Sequence, residues 1–225
     1  MSSAQTTKAH CNRCGHDTTH SVLFQDHNSW PMEYPDGEPY GHEREDYQLL
    51  ECKGCDEVKL KITSSSSDYE TYVQFHPAAT LRPRPNWLSD FYLEALSNNF
   101  YQTLIELLNE VYKALQNGMP RLAVMGIRAL LEAIMVDKIG DKGGFAKNVA
   151  ALAAAGHIGE KQKGRILAVL DVGSAAMHRG YAPRVEDVVP LLNLTENLVE
   201  SIYVHDDQID AVTKKVPQRP RRGQV

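Results

Sequence analysis

The sequence lacks a long apolar run. A helical membrane span needs roughly 18 consecutive apolar residues. The nearest approach, Leu122 to Val136, is broken by Arg128 and Glu132. The first 20 residues carry polar groups, two Cys and three His where a secretion signal would place an apolar core. The expectation is therefore a cytoplasmic protein with no membrane partner. Phosphate-binding loops are also missing. GDKGG at Gly140 to Gly144 is glycine-rich but lacks their spacing, so it reads as an interhelical turn and no nucleotide cofactor is indicated. Cysteine is scarce, at four in 225 residues, and none lies beyond Cys55.

Acid is missing from one segment. TKKVPQRPRRGQV, from Thr213 to Val225, holds Lys214, Lys215, Arg219, Arg221 and Arg222 and no Asp or Glu. The chain carries a net charge of -5, so the rest is more acidic still. An acidic body excludes a broad nucleic-acid-coating surface and confines phosphate binding to the tail or a pocket. The tail, with its Pro content and few apolar residues, reads as a disordered basic end.

What is present divides in two. THSVLF, YQLLEC, EVKLKI and TYVQF are short, partly alternating runs bounded by turn residues, which reads as β structure over residues 1–76. Residues 87–205 read as helical. HPAATLRPRPN, with Pro77, Pro83 and Pro85, links them and places a boundary near residue 80. The fold class expected is α+β: a small β zinc ribbon over residues 1–80, then an all-α antiparallel bundle.

The four cysteines form two pairs, Cys11-x2-Cys14 and Cys52-x2-Cys55, with Gly15 after the first and Gly54 inside the second. Two thiolates three residues apart face one ion where the backbone turns tightly, so two such knuckles supply four ligands for structural Zn2+. Two disulfides are the competing reading. His10, His16 and His20 lie near the first pair, but four thiolates already close the shell. Between the pairs, NSWPMEYPDGEPYGHERED (residues 28–46) reads as a long inserted loop whose Trp30, Tyr34 and Tyr40 are available to a partner.

In the helical part, Leu104, Leu107, Leu108, Val111 and Leu115 share one face of a helix ending at Asn117-Gly118. PRLAVMGIRALLEAIMVDKIG follows, opened by Pro120 and apolar almost all round, the pattern of a central buried helix. Helices over FAKNVAALAAAG, EKQKGRILAVLDVGSAAMH and about Val185 to Val204 complete the bundle, with Pro190 placed near the first turn of the last. Two polar groupings interrupt the apolar pattern. Arg128 and Glu132, four apart, lie on one helix face. His178 and Arg179 end DVGSAAMHR, a tract whose small residues let another helix approach. One reading is structural, with Arg128 paired to Glu132 and His178 bonded to a backbone carbonyl. The other is a cleft floored by Arg128, Glu132, Asp171, Ser174, His178 and Arg179, with His178 as acid or base and an Arg facing a phosphoryl charge.

RLAVMGIRALLEAIM, then GSAAMHRGYAP and a Leu-rich last helix, resemble the domain-of-unknown-function 4145 family over about residues 87–205. The most specific pieces are Arg128-Ala-Leu-Leu-Glu132 and Gly173-x-Ala-Ala-x-His178. The four-Cys ribbon resembles a zinc module that some members carry. The family looks like a branch of the HEPN superfamily, helical bundles of prokaryotic defence, toxin–antitoxin and RNA-processing systems. The resemblance implies a homodimer formed through the helical part. It also implies a ribonuclease motif of Arg, four to six residues, then His. His178 matches the His, but the Arg position falls on Asp171, Val172 or Gly173. Asp171 there reverses the charge offered to a phosphate. The expectation is thus an accessory module that binds a protein or nucleic-acid partner in a phage or defence setting. The alternatives are a ribonuclease using His178 with Arg128 or Arg179, and a zinc-ribbon DNA-binding regulator.

Overall fold

The computed structural model describes residues 5–80 and 83–217. The chain divides into two compact units, Met1–Pro83 and Arg84–Val225. Of the basic tail, Arg219, Arg221 and Arg222 lie outside the described residues.

The first unit corrects the expectation of a small ribbon. Five strands, β1 (Thr6–Cys11), β2 (His16–Glu33), β3 (Pro39–Cys52), β4 (Val58–Ser66) and β5 (Tyr72–His76), form one antiparallel sheet in sequence order. The class remains α+β, but β2 and β3 run for 18 and 14 residues, far beyond a ribbon hairpin. Most of segment 28–46, read from its Pro, Gly and acid content as a loop, is the far half of that hairpin. Asn28 pairs with Glu45 and Trp30 with Glu43, and only residues 34–38 turn. Pro31 is tolerated within β2 because β1 pairs with β2 only as far as Ser21. Beyond that point β2 is an edge, and the N–H that proline lacks has no partner strand to meet.

The unit's buried set is small. Among the described residues it comprises Ala9, Cys11, His20, Leu50, Cys52 and Lys59. All six lie close in register around one end of the sheet. In the long hairpin beyond them no described residue is buried, with β2 mostly exposed and β3 mostly half-buried.

The second unit is helical: α1 (Leu88–Glu94), α2 (Asn99–Gln116), α3 (Pro120–Ile139), α4 (Phe145–Ala154), α5 (Glu160–His178), α6 (Val185–Val199) and α7 (His205–Thr213), with a π-helical turn at Glu200–Val204 joining the last two. α3 is the central element and packs on α2, α4, α5 and α6. Ala123, Val124, Ile127, Leu130, Leu131 and Ile134 along it are wholly buried. α2 buries the apolar stripe expected of it, Leu104, Leu108, Val111 and Leu115. Its Asn98 cap accepts the Phe100 amide at 2.9 Å. Pro190 lies inside α6 rather than in its first turn, on the exposed side, where an unpaired carbonyl one turn back meets water.

Gly126 sets the approach of α2 to α3. A Cβ there would stand 2.7 Å from Val111 Cγ2. Alanine is the better helix former by about 1 kcal/mol. Gly126→Ala is nevertheless expected to destabilise the helical unit by about 1–3 kcal/mol through overpacking against a buried valine. Urea denaturation measures it, and Val111→Ala in the same chain should recover part of the loss.

Candidate metal centre

The two cysteine pairs sit on hairpin turns at the same end of the sheet. Cys11 closes β1, and the chain reverses so that the Gly15 amide donates to the Cys11 carbonyl at 2.8 Å. Gly15 holds φ +76°, a left-handed conformation that glycine adopts without a Cβ penalty. Cys52 closes β3. There the Asp56 amide donates to the Cys52 carbonyl at 2.9 Å, and Asp56 takes the positive φ, at 61°. Asp is one of the few side chains that tolerate it. The Lys53 amide donates to the Thr19 carbonyl at 3.0 Å, which ties the second turn to β2.

The four sulfurs converge. Cys11 and Cys55 Sγ are 3.4 Å apart, Cys14 and Cys52 Sγ 3.9 Å, and all four lie within 4.8 Å of one another. Four thiolates about 2.3 Å from one tetrahedral ion stand roughly 3.8 Å from each other, so the donor set fits. A disulfide needs about 2.05 Å, and none of the four cysteines is bridged. Backbone amides face the sulfurs as they do thiolates: Cys14 N to Cys11 Sγ and Gly54 N to Cys52 Sγ, both at 3.4 Å. A Cβ on Gly54 would stand 3.5 Å from Cys14 Sγ, an ordinary van der Waals contact, so a side chain there could pack against the cluster.

The sulfurs differ electrostatically. The Thr18 hydroxyl, 3.1 Å from Cys52 Sγ, does most to bring the Cys52 thiol down to about 6, helped by the Gly54 and Cys55 amides. Burial pushes the Cys11 thiol up, and Glu57, 3.1 Å away, adds to this. A cation at the centre would outweigh both effects, since coordination deprotonates a thiol outright.

The nearby histidines are directed elsewhere. His16 Nδ1 lies 2.9 Å from the Cys14 carbonyl, and buried His20 has Nδ1 3.1 Å from the Thr18 carbonyl. His10 Nδ1 faces Asp17 at 3.6 Å. Among the described residues, the His, Cys, Asp and Glu side chains grouped closely enough for an ion are the four cysteines.

The polar residues of the helical unit are distributed among separate partners. Arg128 donates to the Leu170 carbonyl at 2.7 Å and stacks 3.8 Å from the Phe145 ring centroid, and it makes no ion pair with Glu132, which is exposed. Gly173 makes this possible, because a Cβ there would stand 3.1 Å from Arg128 Cβ and Cδ. At Gly173, then, the helix admitted by the small-residue tract is α3 of the same chain. Arg179 Nη2 bonds Asp171 twice, at 2.6 Å to the carboxylate and 2.9 Å to the carbonyl. Ser174 is half-buried, and His178 is exposed on the last turn of α5. Sequence reasoning missed Phe145, whose place one helix start after Gly143-Gly144 gave no sign of a stacking partner.

Comparison with known families bears on this second unit. Residues 109–219 match the family model described as Domain of unknown function (DUF4145). The matched segment takes in the second half of α2, from Asn109, and all of α3 to α7, hence the whole environment of Arg128 and His178. No curated protein and no solved structure matches the chain. Among the described residues, no helix is long and apolar enough to cross a membrane.

Proposed function

We propose that this protein is a non-catalytic binding module. Its sheet unit is locked by a structural Zn2+ held by Cys11, Cys14, Cys52 and Cys55, and its DUF4145 unit forms a homodimer that serves a protein partner. The observation carrying the reading is the four-sulfur cluster at tetrahedral spacing on two amide-lined turns. Four protein ligands leave no coordination position for a substrate, so the ion organises structure. The HEPN-like resemblance of the helical unit supports the homodimer.

The arrangement near His178 favours binding over cleavage. Ribonuclease chemistry of the HEPN kind needs a cation beside the imidazole. None of Asp171, Val172 and Gly173, where the motif's Arg would fall, is a cation, and Asp171 holds Arg179 in a salt bridge. Arg128 is committed to the Leu170 carbonyl. The acidic body favours a protein over nucleic acid as partner.

Incubation of the full chain with single-stranded, hairpin and transfer RNA tests this. The expected result is no cleavage by the native protein and no difference in His178→Ala. Hydrolysis that disappears in His178→Ala would overturn the reading and restore a ribonuclease.

A further inference from the structure

The outer half of the sheet gathers aromatic rings and carboxylates on one face. Side chains alternate along a strand, and the register puts Trp30, Glu43, Glu45 and Tyr72 on one face with Ser64 and Ser66. Arg44, Asp46 and Lys61 project from the other. Tyr69 and Glu70, from the turn between β4 and β5, close the first group into a notch of about 210 Å³.

The notch has the lining of a site for an organic cation. Trp30, Tyr69 and Tyr72 present aromatic surface, whose faces carry negative potential. Glu43, Glu45 and Glu70 add three carboxylates. Arg44 also lines the notch, but its side chain projects from the opposite face, where Asp46 holds the guanidinium through contacts of 2.6–3.1 Å. The remaining bonds leave the negative charge in place. The Trp30 indole N–H donates to Glu43 Oε2 at 2.7 Å, which fixes the ring, while the Tyr47 hydroxyl and, at 3.4 Å, the Ser64 hydroxyl donate to Glu45. These donors are neutral. The volume is below the roughly 300 Å³ at which small-molecule pockets begin, and it suits the head of one side chain.

We infer that this notch, walled by Trp30, Tyr69 and Tyr72 and charged by Glu43, Glu45 and Glu70, binds an arginine or lysine side chain of an extended basic segment in a partner protein. Among the described residues β5 pairs with β4 alone. Its free edge, beginning at Tyr72 beside the notch, offers backbone N–H and C=O groups to an added strand. The inference rests on the binding-module reading and gives the partner its chemistry.

The test uses the two tryptophans. Trp30 is exposed and Trp87 is buried in the helical unit. Two indole N–H resonances of the full-length zinc-loaded chain therefore report the notch and an internal reference, assigned with Trp30→Phe. Titration with acetyl-Gly-Arg-Gly-Arg-Gly-amide is expected to shift the Trp30 resonance saturably and leave Trp87 still. The same peptide with citrulline for arginine should bind at least tenfold more weakly, as should the arginine peptide to Glu70→Gln. No shift at millimolar peptide, an equal shift with the citrulline peptide, or a larger shift with single-stranded RNA would overturn the inference. Zinc content and RNA hydrolysis are measured on the same sample. Failed peptide binding with zinc bound and no hydrolysis rejects the notch alone, whereas absent zinc or RNA hydrolysis rejects the module.

Discussion

Removing the metal, by strong chelation or by Cys52→Ser, is expected to abolish cooperative unfolding of residues 1–83 and to leave the helical transition in place. The six buried residues among those described in the sheet unit include two of the four cysteines proposed to hold the ion. A unit of this size with so little buried apolar surface does not offset its conformational entropy. Structural zinc contributes about 10–16 kcal/mol to zinc-finger peptides at neutral pH, and even a fraction of that would decide the stability of a unit with so few buried residues. Cys52→Ser removes a thiolate, and the Thr18 hydroxyl and Gly54 amide then face a weaker acceptor. Calorimetry of the native chain should show two transitions, and of the chelated chain one. The helical core is assembled from residues 87–204 and contains no cysteine. A sheet transition that persists after complete chelation would show that the strands hold without metal.

Leu130→Ala is expected to cost the helical unit about 2–5 kcal/mol, the range for emptying a fully buried leucine site. Leu130 lies at the middle of α3 with no exposed surface, and α3 packs on four other helices. Partial collapse of one neighbour therefore leaves the others in place, which puts the cost toward the upper end. Glu132→Ala, two residues on and exposed, is the control and should change stability by less than about 0.5 kcal/mol. Urea titration followed by the helical far-ultraviolet signal measures both. A Leu130→Ala cost below about 1 kcal/mol would mean that α3 is not the centre of the core.

The helices were legible because their signals are local. Apolar spacing marked α2, the all-round apolar character of Leu122 to Val136 marked α3, and Gly118, Pro120 and Gly156 marked ends. The last helix was less clear, since its run to Thr213 passes through a π turn at Glu200–Val204 that no spacing announces. The cysteine centre was legible for the same reason: the ligand spacing and the turn glycine Gly15 are encoded within five residues, although in the second turn Asp56 rather than Gly54 takes the positive φ. The long β2–β3 hairpin was not. Trp30, Pro31, Glu43 and Arg44 carry no apolar alternation because both faces of that half are wet, so the pattern that identifies a strand is absent. Pairing 13 residues apart, as between Trp30 and Glu43, is what makes them strands. Around His178, the sequence showed which polar residues were unusual but not their partners. Arg128 meets Leu170 and Phe145 through tertiary packing, and spacing favoured Glu132 because it is near in sequence.

The central claim is a four-thiolate zinc centre, and metal analysis combined with X-ray absorption at the zinc edge tests it most directly. One zinc per chain, with four sulfur neighbours at about 2.3 Å and none of oxygen or nitrogen, is the predicted result. A chain purified without chelators that holds no zinc, or holds it through nitrogen or oxygen, would contradict it.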